Sequence, residues 1–476
     1  MEHLFDKLTL YGERDVYPYH MPGHKRRACG ALPPELCKLD ITEIEGFDNL
    51  HQPEGILLEL QSRAAALCGA EESFYLVNGS TGGILSAVSA ALPVGGHILM
   101  ARNCHKSAYH AAYLRGLTIS YLYPEVLEEF DILEAVTAEQ VRKALEKEPD
   151  IGAVLIVSPT YEGRIADVRE IAREVHKNGI PLIVDEAHGA HLGLSAEVHE
   201  NSCRSGADLV IQSTHKTLPA LTQTALLHVC GRLIDRTLLK RFLHIYQSSS
   251  PSYLLMASID NALDFVEKKG KDAFAEFRRQ YESLLEALSR CRCLKFPSPD
   301  FTKQDIGKLV ISVKNSGLTG KGLYDILLNK YRLQMEMAAE TYVLAMFTLC
   351  DGPEAYSRLI QALLEIDDSF LKDEKKSSAG PSAFRVSAYA EESGRPDTVL
   401  LSEAWDREKE IVPLTGSRGR YAGEFVNLYP PGVPLLAPGE RITGELLLKM
   451  QEWLKQGLTV QGIEMPNDEP MIQVLR

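Results

Sequence analysis

Long apolar runs are missing from this sequence: none reaches the roughly 18 residues needed to cross a bilayer. Met1-Glu2-His3-Leu4-Phe5-Asp6 lacks the basic stretch and apolar core of a secretory leader. Positive charge is in deficit as well. A formal net charge of −14 argues against nucleic acid and acidic membrane surfaces as partners, because both would repel it. The nine cysteines of the 476 residues are scattered and odd in number, so they make no disulfide framework. Cys291 and Cys293 are close, yet no second Cys or His cluster completes a metal site. A cytoplasmic chain without a structural metal is the expectation.

What is present is ample core material. Apolar residues make up 45% and charged residues 24%, the balance of an ordinary folded protein. At roughly 150 residues per domain the length suggests about three folding units. The first forty-odd residues are rich in proline and glycine and read as an extended arm with short helices, residues 1–45. From Phe74 onward apolar runs alternate with amphipathic stretches. Phe74–Val77, His97–Met100, Ile119–Tyr123, Ala153–Val157, Pro181–Val184, Asp208–Ile211 and Thr224–Val229 read as strands. Helices are expected at Ile84–Leu92, Ser107–Arg115 and Asp167–Asn178, and the chain is strongly helical from Gly231 to Arg290. This alternation predicts an α/β fold with a mostly parallel central sheet in a large domain, residues 46–290. A smaller α+β domain is expected over 291–371, then a polar linker over 372–385, and a C-terminal α+β unit over 386–476.

Four segments carry chemistry, and each follows a predicted strand, where open parallel sheets bind ligands. Asn78-Gly79-Ser80-Thr81-Gly82-Gly83 places backbone N–H groups and two hydroxyls at a helix start. Such a turn holds a phosphate or simply caps the helix. Arg102-Asn103-Cys104-His105-Lys106-Ser107 offers an imidazole to lie on an aromatic ring, or a helix-start residue with no special task. Asp185-Glu186-Ala187-His188 ends an apolar strand with a carboxylate suited to a positively charged ring nitrogen. Its Asp-x-x-His spacing also suits a metal pair, but further ligands are missing. Gln212-Ser213-Thr214-His215-Lys216-Thr217 puts a lysine just after a strand. An enzyme of pyridoxal 5'-phosphate (PLP) needs a lysine amine for the Schiff base, an acid for the ring nitrogen and a phosphate cradle. All three stand here in a sensible topological order.

Together with His20-Met21-Pro22-Gly23-His24-Lys25, Ser248-Ser249-Ser250-Pro251-Ser252-Tyr253, and Gly419-Arg420 through Tyr429-Pro430-Pro431-Gly432-Val433-Pro434, these motifs resemble the ornithine/lysine/arginine decarboxylases of bacteria. The resemblance runs from about residue 18 to 445. It implies fold type I, that of aspartate aminotransferase, and decarboxylation of arginine, lysine or ornithine to agmatine, cadaverine or putrescine in polyamine metabolism. It assigns Lys216 to the Schiff base, Asp185 to the pyridine nitrogen and His105 to ring stacking. Gly79, Ser80, Thr81, Ser213 and His215 fall on the phosphate and polar side, and Ser248 and Ser250 on the phosphate of a neighbouring subunit. The chain resembles the short form of the family, which implies a homodimer at least. His188 departs from a bulkier aromatic in some long-form members, and its role is left open.

A cationic side chain calls for a carboxylate at the far end of the pocket; Glu424, Glu43 and Asp48 are the candidates. Lys216 and His215 are candidates to return a proton to Cα. Two other readings use the same residues: an aminotransferase or β-eliminating lyase on the same fold, and a non-catalytic regulatory paralogue. The second usually loses the lysine or the aspartate, and both are kept here.

Overall fold

Short apolar runs become buried strands, and the polar junctions after them become helix starts. The computed structural model describes residues 2–27, 30, 32–297, 300–372, 399–429 and 432–476. It is a mixed α/β fold with a large, mostly parallel central sheet. In chain order its first part comprises α1 (Leu4–Glu13), α2 (Pro34–Leu39), α3 (Ile56–Cys68), β1 (Glu72–Leu76), α4 (Gly79–Ala91), β2 (His97–Ala101), α5 (Lys106–Arg115) and β3 (Thr118–Leu122). The short pair β4 (Val126–Leu127) and β5 (Ile132–Leu133) follows, then α6 (Ala138–Lys147), β6 (Ala153–Val157), α7 (Val168–His176), β7 (Leu182–Asp185) and β8 (Leu209–Gln212). The single turn α8 (Thr214–Thr217), β9 (Ala225–Val229), α9 (Arg236–Tyr246) and α10 (Tyr253–Leu288) complete this part.

The chain divides into two units, residues 1–91 with 168–275 and residues 92–167 with 276–476. In the first, β7 and β8 are parallel, β9 runs antiparallel to β8, and β1 runs antiparallel to β9. β7, β8 and β9 are buried along their whole length, which is why they read as unbroken apolar runs. α1, α3 and α10 bury Leu4, Leu8, Leu57, Leu60, Met256 and Ile259 in one core with Tyr75 and Leu226. Inside it, Arg63 is held by Asp260 at 2.9 Å and by Glu267 at 2.7 Å. A charge that deep needs such partners.

In the second unit β2 lies parallel to both β3 and β6. The small sheet that follows pairs Lys308–Ser312 with Tyr342–Met346, antiparallel. A separate core near the C-terminus gathers Leu414, Val426, Leu436, Met450, Trp453 and Val474. Past Lys372, the linker expected at 372–385 lies outside the described residues, as do 386–398 of the expected C-terminal unit.

The sequence pattern starts a helix at Ile84, whereas α4 begins at Gly79. The glycine segment is therefore the helix's own first turns. Gly79 takes φ +67°, a left-handed conformation that suits glycine. Gly83 lets the helix approach the strands: a Cβ there would lie 2.7 Å from Leu76 and 2.9 Å from Ile211. Gly83→Ala overpacks this contact and should cost about 1–3 kcal/mol, read as a lower urea midpoint; an unchanged midpoint would show that the contact gives way freely.

Candidate active site

In the first unit β8 ends at Gln212, and a buried Ser213 stands just before the turn α8. Lys216 is half-buried in that turn, with Nζ 3.1 Å from Nε2 of His188. His188 is buried and stands three residues beyond Asp185, where β7 ends. The Asp185 carboxylate accepts the Ala187 N–H at 3.1 Å. Burial pushes this carboxyl's pKa up and outweighs the Lys216 charge and the Ala187 N–H, which pull it down.

His215 sits in the same turn with Nδ1 2.8 Å from the Thr224 carbonyl. A carbonyl only accepts, so Nδ1 carries the proton. Burial lowers the pKa of this imidazole, the Thr224 bond raises it and the Lys216 charge lowers it further, for a net lowering. The neutral ring then keeps an acceptor lone pair on Nε2.

The Gly79 N–H is bonded to the Gln223 carbonyl at 2.8 Å, and Ser80 and Thr81 are half-buried in the first turn of α4. That turn leaves N–H groups without helical partners at the positive end of a 13-residue helix. Two hydroxyls on either side of Lys216 in sequence are orphans. Ser213 Oγ and Thr217 Oγ1 are buried and have no hydrogen-bond partner among the described residues. Buried hydroxyls without partners are costly, which points to a polar group that completes them. An amine, a buried carboxylate, a helix start and orphaned hydroxyls are a donor set that fits PLP.

The remaining candidates are placed as follows. Ser248 Oγ donates to the Ser250 carbonyl at 3.2 Å, and Ser250 Oγ donates to Glu43 at 3.4 Å. Asp48 accepts four backbone N–H groups, from Asn49, Glu54, Gly55 and Leu57. Burial raises its pKa, but these bonds outweigh it and hold the carboxyl below the usual range. In the second unit His105 caps α5, its Nδ1 accepting the Ser107 N–H at 3.2 Å. The Gly432 carbonyl accepts the Lys106 N–H at 3.4 Å, and a Cβ at Gly432 would stand 3.5 Å from His105 Nε2. Arg102, just before His105, donates to the carbonyls of Pro434 at 2.7 Å and Leu435 at 3.0 Å and to Glu440 at 2.9 Å. Glu424 accepts from Trp405 Nε1 at 3.1 Å and from the Phe425 N–H at 2.8 Å.

Sequence reasoning passed over Glu186. It is only 1% exposed and accepts the Gln212 amide at 2.6 Å, the Ser202 N–H at 2.9 Å and the Ser202 hydroxyl. Burial pushes its carboxyl up to about 7 despite these donors. Its position in the Asp185–His188 motif was the available signal, but its partners come from distant segments. Among the described residues no helix is long and apolar enough to cross a membrane, and no group of three or more His, Cys, Asp or Glu is placed to hold a metal.

Known proteins align along nearly the whole chain. A family model described as Orn/Lys/Arg decarboxylase, major domain, matches residues 2–331, and one described as Orn/Lys/Arg decarboxylase, C-terminal domain, matches residues 391–462. An arginine decarboxylase of Bacillus subtilis is 31% identical over 493 aligned residues, covering 99% of this chain and 97% of its own length. One of Bacillus anthracis is 31% identical, covering 97% and 94%. The crystal structure of the Francisella novicida lysine decarboxylase LdcF superposes with a TM-score of 0.86 at 18% identity, over 99% of this chain and 81% of that one.

Glu186 also makes stability depend on pH. Its folded value, about 7, lies above the 4.5 of an ordinary glutamate. The stability it contributes is complete below the lower value and is lost as pH rises through the upper one. The urea midpoint should therefore fall between about pH 5 and about pH 8, and Glu186→Gln should flatten that part of the profile. An equal slope in the variant would assign the effect to other groups.

Proposed function

The chain belongs to the Orn/Lys/Arg decarboxylase family, a basic-amino-acid decarboxylase that the family makes PLP-dependent, and we propose that its substrate is L-arginine, converted to agmatine and CO2 in polyamine metabolism. The observation that carries the site assignment is the Lys216 amine, 3.1 Å from His188 and electrically coupled to the buried Asp185, beside two orphaned hydroxyls. Arginine is favoured by the 31% identity, over 99% of the chain, to an arginine decarboxylase.

When bound, PLP supplies an electron-poor ring that takes up the electron pair left as CO2 departs. The chain's own residues do the rest. Lys216 supplies the amine that anchors the cofactor, and His188 orients its Nζ. Asp185 is a buried carboxyl whose ionised form the Lys216 charge favours against burial, and that charge would hold a proton on the ring nitrogen. The first turn of α4, with Gly79, Ser80 and Thr81, would hold the phosphate together with Ser213, while His215 would supply a polar group on the same side. His105 keeps the ring-facing part that the resemblance assigns to it. His215 is neutral, and its free nitrogen accepts rather than donates. Lys216 is therefore the group that returns a proton to substrate Cα.

Of the three carboxylates considered for the substrate's cationic end, Asp48 is committed to backbone donors and Glu424 to Trp405 and Phe425. Glu43 accepts only the long bond from Ser250 among the described residues, and it is the best placed to change partners. The proposal includes a homodimer in which Ser248 and Ser250 serve the neighbouring copy.

The purified protein should be yellow and should release CO2 from arginine faster than from lysine or ornithine. Borohydride should bleach the colour and leave the label on Lys216. Lys216→Ala should lower CO2 release by about 10³-fold or more. A colourless protein that takes up no PLP would overturn the reading, and a keto acid formed from an amino donor would make the enzyme an aminotransferase. Faster release from lysine or ornithine would replace arginine as the substrate.

A further inference from the structure

Glu186 takes no part in the steps above, yet it is the end of a buried polar chain crossing four strands of the first unit. Its Oε1 accepts from Gln212 Nε2 at 2.6 Å; Gln212 Oε1 lies 3.1 Å from His228 Nε2; His228 Nδ1 lies 2.6 Å from Ser73 Oγ. The four residues come from the end of β7, from β8, from β9 and from β1. All are nearly or fully buried, and Gln212 and His228 are 0% exposed.

Above about pH 7 the Glu186 carboxyl is ionised and can only accept, and that one fact sets every proton in the chain. Gln212 must turn its NH2 group to Glu186 and its oxygen to His228. His228 must then carry its proton on Nε2, which leaves Nδ1 to accept the Ser73 hydroxyl. Burial lowers the His228 pKa to about 3, so the ring carries a single proton at neutral pH. Both ends of the Glu186 carboxylate are thereby anchored, one by this relay and the other by Ser202. The Glu186 N–H is also bonded to the Ile211 carbonyl of β8 at 2.9 Å. The residue before Glu186 is Asp185, and the residue that opens the relay, Gln212, is four positions before Lys216.

Resting on the cofactor reading above, we propose that Glu186 is a positioning residue for the decarboxylation: its charge locks the Gln212–His228–Ser73 relay in one direction and so fixes Asp185 relative to the turn that carries Lys216. The relay also has a reversed arrangement. With a neutral amide at position 186, the Ser202 N–H claims its carbonyl and leaves its NH2 facing Gln212, so Gln212 turns over, the His228 proton moves to Nδ1, and Ser73 becomes the acceptor. Packing survives in that state, and the charge beside Asp185 is gone.

Glu186→Gln therefore separates charge from bulk. In holoenzyme it should keep the wild-type melting temperature to within a few degrees and weaken PLP binding about tenfold. It should also shift the pH midpoint of the visible cofactor band and lower kcat more than it raises KM. Ser73→Ala, at the far end of the relay, should move the same readouts in the same direction by less; it decides the matter if Glu186→Gln fails to fold. Unchanged PLP affinity, band midpoint and kcat in the folded variants would overturn the proposal. Colourless wild-type protein would instead overturn the cofactor reading. The relay is then read directly, above about pH 8 where Glu186 is ionised, from the ¹⁵N shifts of His228, its signal assigned by loss in His228→Gln: a change from Nε2–H to Nδ1–H in Glu186→Gln supports the locking, and an unchanged Nε2–H refutes it.

Discussion

A carboxylate that ends a fully buried strand needs a positive charge or a set of donors, and the site of this protein is built around that need. Asp185 has one backbone donor and the field of Lys216. Burial works against its ionisation, and the nearby lysine works for it. The cofactor's ring nitrogen is a natural further partner for such a group. The same demand falls on the next residue, and it is met differently. Glu186 has no strong positive field among the causes acting on it and relies on neutral donors alone. Two adjacent carboxylates thus take opposite solutions, one electrostatic and one through hydrogen bonds.

Backbone geometry supports this arrangement. β7 and β8 run parallel, so both bring their carboxyl ends to the same edge, where Asp185 and the turn holding Lys216 follow. α4 can start near that edge because Gly79 tolerates a positive φ and Gly83 leaves no side chain between helix and strands. In the second unit, one buried guanidinium performs a comparable service. Arg102 ties the segment around Pro434 and Leu435 to the region just before His105.

Much of this was legible in the sequence. Buried parallel strands are unbroken apolar runs, and β6, β7 and β8 fall within a residue or two of the ranges their apolar residues suggested. The family motifs also resolved, because their chemistry is local. The start of α4 was not legible, since glycines read as loop unless a close helix–strand approach explains them. The relay was invisible for a different reason. Ser73, His228, Gln212 and Glu186 meet only because β1, β9, β8 and β7 are neighbours, and strand order is not encoded in any local stretch. The carboxylate candidates show the same limit: nothing in the residues around Asp48 reveals that four backbone donors occupy it.

The pairing of β1 has a consequence for how the chain is made. Among the described residues β1 stands at an edge and its ladder is with β9, Leu76 facing Ala225. As the chain leaves the ribosome, this apolar strand emerges about 150 residues before its partner. At the usual speed of synthesis that is a wait of roughly eight to thirty seconds. Throughout it Phe74, Tyr75 and Leu76 are an unpaired edge that any other nascent chain can join. The first unit cannot close until the codons for β9 have been read, so early truncations should be soluble only while something shields that strand.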